Sequence, residues 1–498
     1  MRHKTQALIL PAAAVFAVIF AIARACVQSI TIDEAATYFH FVRTGLLFFP
    51  AANNHILNTL LMRLFTAVFG TSEFTVRLPA LIGATLYITA SYRICRLLSP
   101  SLILQLVLFV CLVYNPFIFD YLVAARGYAL ALGFLMWAIA LPATWFLMPN
   151  DRSRSLLTTC AISSVCIGLS IAANFAFAFV DLVTLALIFF FALTTPKMNF
   201  GLVLVCCWLP LAIVTLSISG STMLHMPKEQ LYWGATSLAE TFGGIMKRSF
   251  YRMPLGWANR PSFVQLMWFL LGAASLARFL FVLSRPDRNS PLIRFALALT
   301  VIIAATVAIH WTAFHLFHLP LPVGRTGIYL FPLAMLAVGA LAGIAPSSRL
   351  DRYLRGSVIG VLLAVAVCFL LCLRLTYFEE WAWDADVKQA YSVLDCMARN
   401  NAVRKVSATW CYVYSLNFYL LQSKHSSLSR VVDHNTNPPE ADAWVFNTFF
   451  EHDSGVLNDH GLTIVYQGRP LPGDVGNTVI AVKPELARAL LTGPCFDH

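Results

Sequence analysis

Two adjacent carboxylates, Asp33 and Glu34, end the stretch Thr31-Ile32-Asp33-Glu34 just after the first apolar run. Asn53-Asn54-His55 follows, beyond an aromatic-rich amphipathic segment. A carboxylate at a helix start near a membrane surface is placed to act as a general base towards a lipid-borne substrate. The same four residues spell a capping box, with Thr31 as N-cap and Glu34 at the third helical position, and acidic residues favour a helix N-terminus. The two readings are compatible, since Glu34 can cap while Asp33 points elsewhere. His55 could donate to a substrate or cap a juxtamembrane helix. Arg126 and Arg325, at the ends of apolar runs, offer fixed forks of donors that keep their protons and suit a departing phosphate. An interfacial arginine that anchors a helix end by snorkelling is the plainer reading of each.

These residues must be positioned by a membrane framework. The 498-residue chain is 59% apolar and only 12% charged, with a mean hydropathy of +0.72. A soluble domain carries about 25% charged residues. The 35 Lys and Arg against 24 Asp and Glu are scattered singly between apolar runs and form no stripe suited to nucleic acid. A bilayer crossing needs about 20 apolar residues for roughly 30 Å of hydrocarbon, and about eleven runs qualify. They lie near 6 to 25, 77 to 95, 101 to 119, 127 to 147, 156 to 174, 176 to 193, 200 to 218, 263 to 284, 294 to 312, 326 to 345 and 357 to 375. The first reads as a retained signal anchor: it is long, lacks a small-residue cleavage pattern and ends beside Arg24.

Cations fill alternate short connections: Arg2 and Lys4, Arg93 and Arg96, Arg152 and Arg154, Lys197, Arg285, Arg288 and Arg294, then Arg349, Arg352 and Arg355. The positive-inside rule puts these in the cytoplasm, with the N-terminus. The opposite side receives residues 26 to 76, the first outer loop, and 219 to 262, 310 to 325 and 376 to 498. Lys247, Arg248, Arg252 and Arg260 are a local exception on that outer side, and phosphate is one reason for cations there.

The domains expected are therefore a transmembrane domain over 1 to 375 and an extracytoplasmic α/β domain over 376 to 498. The tail reads as a helix over 386 to 400 and strands over 405 to 409, 443 to 446, 462 to 466 and 478 to 482, separated by Asn, Asp, Pro and Gly clusters. About 120 residues are enough to bury a core. Nine of the twelve cysteines fall within or at the end of apolar runs. Of Cys396, Cys411 and Cys495 in the tail, one pair could form a disulfide, with the pairing open.

Other polar residues have structural readings. His310, His315 and His318 include an i, i+3 pair, but with no acidic or Cys neighbour in sequence they read as interfacial histidines and no metal site is expected. Asp181 costs about 2.5 to 3.5 kcal/mol on insertion scales if unpaired in a span. It should face the bundle interior, and Asn174, seven residues earlier, could share its polar network.

Residues 53 to 92 carry Asn54-His55 and then Gly70 to Pro79 with Glu73 and Arg77. With the preceding Asp33-Glu34 they resemble the first outer loop and second span of the membrane glycosyltransferases of the C-type fold (GT-C), the superfamily of the protein O-mannosyltransferases and the bacterial aminoarabinose transferases that modify lipid A. Ile56 departs from the proline of many relatives. Asn115-Pro116 and Leu122 to Leu130, which hold Arg126-Gly127-Tyr128, are similar to the second outer loop. Gly324 to Pro332, which hold Arg325 and Tyr329, are similar to the start of a late span. The blocks cover the membrane half of the chain.

The resemblance implies a sugar transferase using a polyprenyl-phosphate donor, in the inner membrane of a bacterium. Asp33 and Glu34 would be catalytic, and Asn54, His55, Arg126, Tyr128, Arg325 and Tyr329 would bind substrate. The acceptor hydroxyl would belong to a lipid, glycan or protein, inversion would follow from one displacement, and a divalent cation could assist. A flippase is a second reading, but it should show inverted repeats and midplane charges, of which only Asp181 is a hint. A glycan polymerase or ligase of another membrane fold would lack both the early Asp-Glu pair and the long outer tail.

Overall fold

The computed structural model describes residues 2–148, 155–230, 233–251, 253, 260–285, 290–400, 402–423, 426–433, 440–449, 455–458, 460–469, 476–490 and 495. Arg152, Arg154, Arg252 and Arg288 lie outside the described residues. The chain is a helical polytopic membrane protein ending in a small mixed sheet. Among the described residues nine helical segments are long and apolar enough to span a bilayer: Leu8–Val27, Glu73–Leu98, Tyr128–Leu147, Leu156–Ala173, Phe175–Leu193, Phe200–His225, Pro261–Leu283, Pro291–Phe317 and Arg349–Cys372.

The other two expected spans are modified by local chemistry. The run from 101 divides into Leu102–Val113 and Pro116–Val123, bent by 58°. Pro116 lacks an N–H and disfavours helix at the residue before it, and the Asn115 side chain accepts from the Ile118 N–H to start the second piece. The run from 326 is a 14-residue helix, Leu330–Gly343. At about 1.5 Å per residue it falls short of the hydrocarbon thickness. Its first residues are taken by a 3-10 turn, Gly324–Gly327.

The helices used below are α1 (Arg2–Val27), α2 (Ile32–Thr37), α3 (Ile56–Phe69), α4 (Glu73–Leu98), α5 (Leu102–Val113), α6 (Pro116–Val123), α7 (Tyr128–Leu147), α8 (Leu156–Ala173), α9 (Ala178–Leu193), α10 (Phe200–His225), α11 (Leu238–Arg248), α12 (Pro261–Leu283), α13 (Pro291–Phe317), α14 (Leu330–Gly343), α15 (Arg349–Cys372), α16 (Val387–Arg399), α17 (Trp410–Gln422) and α18 (Pro484–Leu490). A π-helical turn, Tyr38–Arg43, continues α2.

The chain divides into two compact units. The first comprises Met1–Ile22, Leu47–Leu61 and Leu78–Leu373. In it α8 packs between α7 and α10, α13 packs on α14, and α12 on α15. Arg278 of α12 closes the end of α14 by donating to the carbonyls of Leu341 at 2.8 Å and Ile344 at 2.7 Å. Those carbonyls belong to the last turn, where helix acceptors lose their internal donors. Asp351 neutralises Arg278 at 2.5 Å and also pairs with Arg285.

The second unit comprises Ala23–Leu46, Met62–Arg77 and Arg374–His498. Its five strands are β1 (Val406–Ala408), β2 (Val432–Asp433), β3 (Ala443–Asn447), β4 (Thr463–Gln467) and β5 (Thr478–Val482), in the order β2-β1-β3-β5-β4. β1 is parallel to β2 and β3, while β5 is antiparallel to β3 and β4. β3 and β5 are buried at every position, so their near-continuous apolar sequence is that of central strands. Cys396 and Cys495 form a disulfide, and Cys411 is a buried thiol.

Candidate functional site

In the second unit the capping box expected of Thr31 and Glu34 is formed. The Thr31 hydroxyl accepts from the Glu34 N–H at 3.2 Å, and the Glu34 carboxylate accepts from the Thr31 N–H at 3.0 Å. Glu34 is also gripped by Arg77, whose Nε and Nη2 donate to its two oxygens at 2.9 and 2.7 Å. The same guanidinium donates to the carbonyls of Ala25, Gln28 and Ser29, the acceptors left open where α1 ends. The arrangement fixes the turn from α1 into α2. Asp33, next in sequence to that locked residue, is half-buried.

The tail supplies a further carboxyl here. Asp384 accepts from the Ile32 N–H at 2.8 Å and from the Ser415 hydroxyl at 3.4 Å. Burial, together with the nearby charges of Asp33 and Glu34, holds its carboxyl well above the usual carboxylate range. The Tyr419 hydroxyl of α17 accepts from the Ile30 N–H at 2.9 Å. The loop bearing Asp33 is thus held by side chains from the tail.

In the first unit the charges of Arg126 and Arg325 act on His55. His55 is buried, and its Nε2 has no hydrogen-bond partner among the described residues. Burial, then the charges of Arg126 and Arg325, push its imidazole well below its usual value. Tyr128 packs against it with ring centroids 5.6 Å apart. Asn54 holds the loop before His55: its amide donates to the carbonyls of Leu47 and Phe49, and its oxygen accepts from Thr59. Gly127 sits at φ +75°, where a Cβ would lie 2.2 Å from the Ala173 carbonyl and 3.0 Å from His55 Cβ. Only glycine lets Arg126 and Tyr128 flank His55.

Arg248 joins the neighbourhood of Arg325, because its guanidinium lies where a Cβ on Gly324 would meet it at 2.7 Å. A neutral imidazole with an unpartnered nitrogen, near cationic guanidinium groups, is chemistry for an oxyanion.

Other expected residues have different surroundings. Tyr329 shares a 2.7 Å hydrogen bond with His310 and packs edge-on to Phe177. His315 packs on Trp311, and His318 ends α13 in the left-handed region. Among the described residues no three His, Cys, Asp or Glu side chains gather as metal ligands. Asp181 is fully buried as expected. Asn174 does not share a helical face with it: the residue ends α8 in extended conformation, and its oxygen caps the next 3-10 turn at Ala176. Asp120 of α6 is a buried carboxylate that sequence reasoning passed over; Tyr251 donates to it at 3.3 Å. Its signal was a single Asp within an apolar run.

The architecture is that of a helical polytopic membrane protein with a small mixed sheet. No family model matches the sequence, and no curated protein matches it. The structure is similar to ArnT from Cupriavidus metallidurans in the apo state, with a TM-score of 0.53 and 13% identity over 99% of this chain and 100% of that one. ArnT from the same organism bound to undecaprenyl phosphate gives a TM-score of 0.53 and 13% identity over 96% of this chain and 98% of that one. The Archaeoglobus fulgidus oligosaccharyltransferase overlaps more loosely, with a TM-score of 0.42 and 14% identity over 96% of this chain and 76% of that one. The fold is therefore ArnT-like.

Proposed function

We propose that the chain is a glycosyltransferase that moves a sugar from a polyprenyl-phosphate donor to a hydroxyl acceptor at the outer face of a bacterial inner membrane. The observation that carries this is a buried His55 whose Nε2 has no hydrogen-bond partner among the described residues and whose imidazole lies within reach of the charges of Arg126 and Arg325. An oxyanion is favoured by the two guanidinium charges and gives the imidazole a hydrogen-bond partner. The undecaprenyl phosphate bound to ArnT supports a polyprenyl phosphate as that oxyanion. The N-terminus is cytoplasmic and residues 376 to 498 are extracytoplasmic, following the alternation of cations between spans.

Asp33 takes the proton of the acceptor hydroxyl as its oxygen attacks the anomeric carbon. The bond from that carbon to the phosphate oxygen breaks, and the polyprenyl phosphate leaves with inverted stereochemistry at the sugar. Glu34 positions Asp33 through the cap and Arg77. Arg126 and Arg325 stabilise the charge that gathers on the leaving phosphate, and Tyr128 and Asn54 keep His55 in place. Among the described residues no three His, Cys, Asp or Glu side chains gather as a cation site, and no step is routed through one.

The test is the full chain reconstituted in liposomes with a radiolabelled polyprenyl-phosphate sugar and envelope acceptors. Asp33→Asn should abolish transfer while undecaprenyl phosphate still binds. Arg126→Gln and Arg325→Gln should each weaken that binding. Full transfer by Asp33→Asn would remove Asp33 as the base.

A further inference from the structure

A cavity lies in the second unit, on the helical rod that carries Asp33. A cleft of about 760 Å³ is lined by Phe39, His40, Arg43 and Thr44 of the π-helical turn and the residue after it, by Tyr414 and other residues of α17, and by Arg430. Arg43 and Arg430 are exposed, and neither has a carboxylate partner among the described residues. The Arg43 guanidinium lies 5.5 Å from the Phe39 ring centroid, which holds it over an aromatic face. His40 Nε2 and the Tyr414 hydroxyl share a 2.7 Å hydrogen bond, so both rings are fixed in the wall. π-helical turns recur at functional sites because they re-aim side chains.

The chemistry of the wall selects its occupant. Two unpaired guanidinium groups call for an oxyanion. The rings of Phe39, His40 and Tyr414 offer flat surfaces for the C–H face of a sugar, and Thr44 and Tyr414 offer hydroxyls. Neither the π-helical turn nor α17 is among the candidate spans, and the exposed Arg43 and Arg430 guanidinium groups suit the water-borne part of a molecule. Ten residues of helical rod separate Asp33 from Arg43, about 15 Å at helical rise, which is the reach of a short oligosaccharide.

We propose that this cleft is an acceptor subsite for an acidic saccharide, held by Arg43 and Arg430 while a hydroxyl of a neighbouring sugar reaches Asp33. The assignment rests on the transferase reading and names its acceptor class.

Binding tests it separately from turnover. The full chain in phosphatidylcholine nanodiscs is titrated with a glucuronic-acid-containing tetrasaccharide, a neutral glucose tetrasaccharide, and phosphatidylglycerol added to the nanodiscs. The acidic tetrasaccharide should bind more tightly than the neutral one, and Arg43→Gln and Arg430→Gln should each weaken it about tenfold. Undecaprenyl phosphate binding and thermal stability should be unchanged in both variants. Equal affinity for both tetrasaccharides, or indifference to both substitutions, would overturn the proposal. Arginine-dependent binding of phosphatidylglycerol without the acidic sugar would also overturn it, in favour of a lipid headgroup. Loss of transfer by Asp33→Asn bears only on the transferase reading, and the binding result stands or falls without it.

Discussion

Arg77 and Glu34 meet in a two-pronged ion pair, 2.9 and 2.7 Å, with both side chains fully buried. The pair satisfies three backbone carbonyls of the α1 terminus and one backbone N–H of the α2 cap. Removing one partner leaves a buried charge without its counterion, which costs about 3–5 kcal/mol. Arg77→Ala and Glu34→Ala are each expected to lower the unfolding temperature of the detergent-solubilised protein markedly. Arg77→Lys should recover only part, because one ammonium cannot replace a planar fork contacting several acceptors. A lysine variant as stable as the parent would show that charge alone suffices there.

The sequence exposed half of this arrangement. Thr31 and Glu34 were readable as a cap because the partners lie three residues apart, within one helical turn. Arg77 was visible only as part of a motif, since no local rule marks a partner 43 residues away. The central strands β3 and β5 were legible from their apolar runs between turn residues. Helix α17 was not, because Trp-Cys-Tyr-Val-Tyr-Ser-Leu-Asn-Phe-Tyr-Leu-Leu-Gln is rich in residues that favour strands and has no clean polar face. Its helical state is set by packing on α2 and α16. Arg248 looked like an exception to the topology rule, and only the fold sets it against Gly324.

Asp384 ties the tail to the start of α2, and its titration gives that tie a sign. Its carboxyl is raised by burial and by Asp33 and Glu34. A raised folded value means the stability it contributes is fully present below the unfolded carboxylate value and is lost as pH rises through the folded one. Asp384→Asn keeps an oxygen for the Ile32 N–H and removes the proton equilibrium. Its stability relative to the parent should therefore increase as pH rises above the ordinary carboxylate range. Denaturation at a series of pH values checks this, and parallel curves for the two proteins would refute it.

Gly127 carries a prediction about geometry. A methyl group there meets the Ala173 carbonyl at 2.2 Å, and the backbone lies at φ +75°. Gly127→Ala should displace the Arg126 to Tyr128 segment, with loss of undecaprenyl phosphate binding comparable to that of Arg126→Gln. Gly70 has φ +79° and nothing within 4 Å of its added Cβ, so Gly70→Ala meets strain without a clash and should leave binding near the parent value. Titrating both variants separates the two effects.

His55 makes phosphate binding dependent on protons. Without ligand, burial and the charges of Arg126 and Arg325 keep the imidazole neutral well below its usual value. That depressed value contributes stability above the unfolded histidine value, lost as pH falls through the folded one. A bound phosphate offsets the two guanidinium charges and accepts from the unpartnered Nε2 when it is protonated, so the bound imidazole titrates higher than the unbound one. Binding of undecaprenyl phosphate should therefore take up protons, increasingly as pH falls from about 8 towards 6. Calorimetry in two buffers of different ionisation enthalpy measures the uptake. His55→Gln should remove this contribution and leave only the titration of the ligand's own phosphate, which both proteins share. Identical uptake by the parent and His55→Gln would mean that the imidazole does not face the anion.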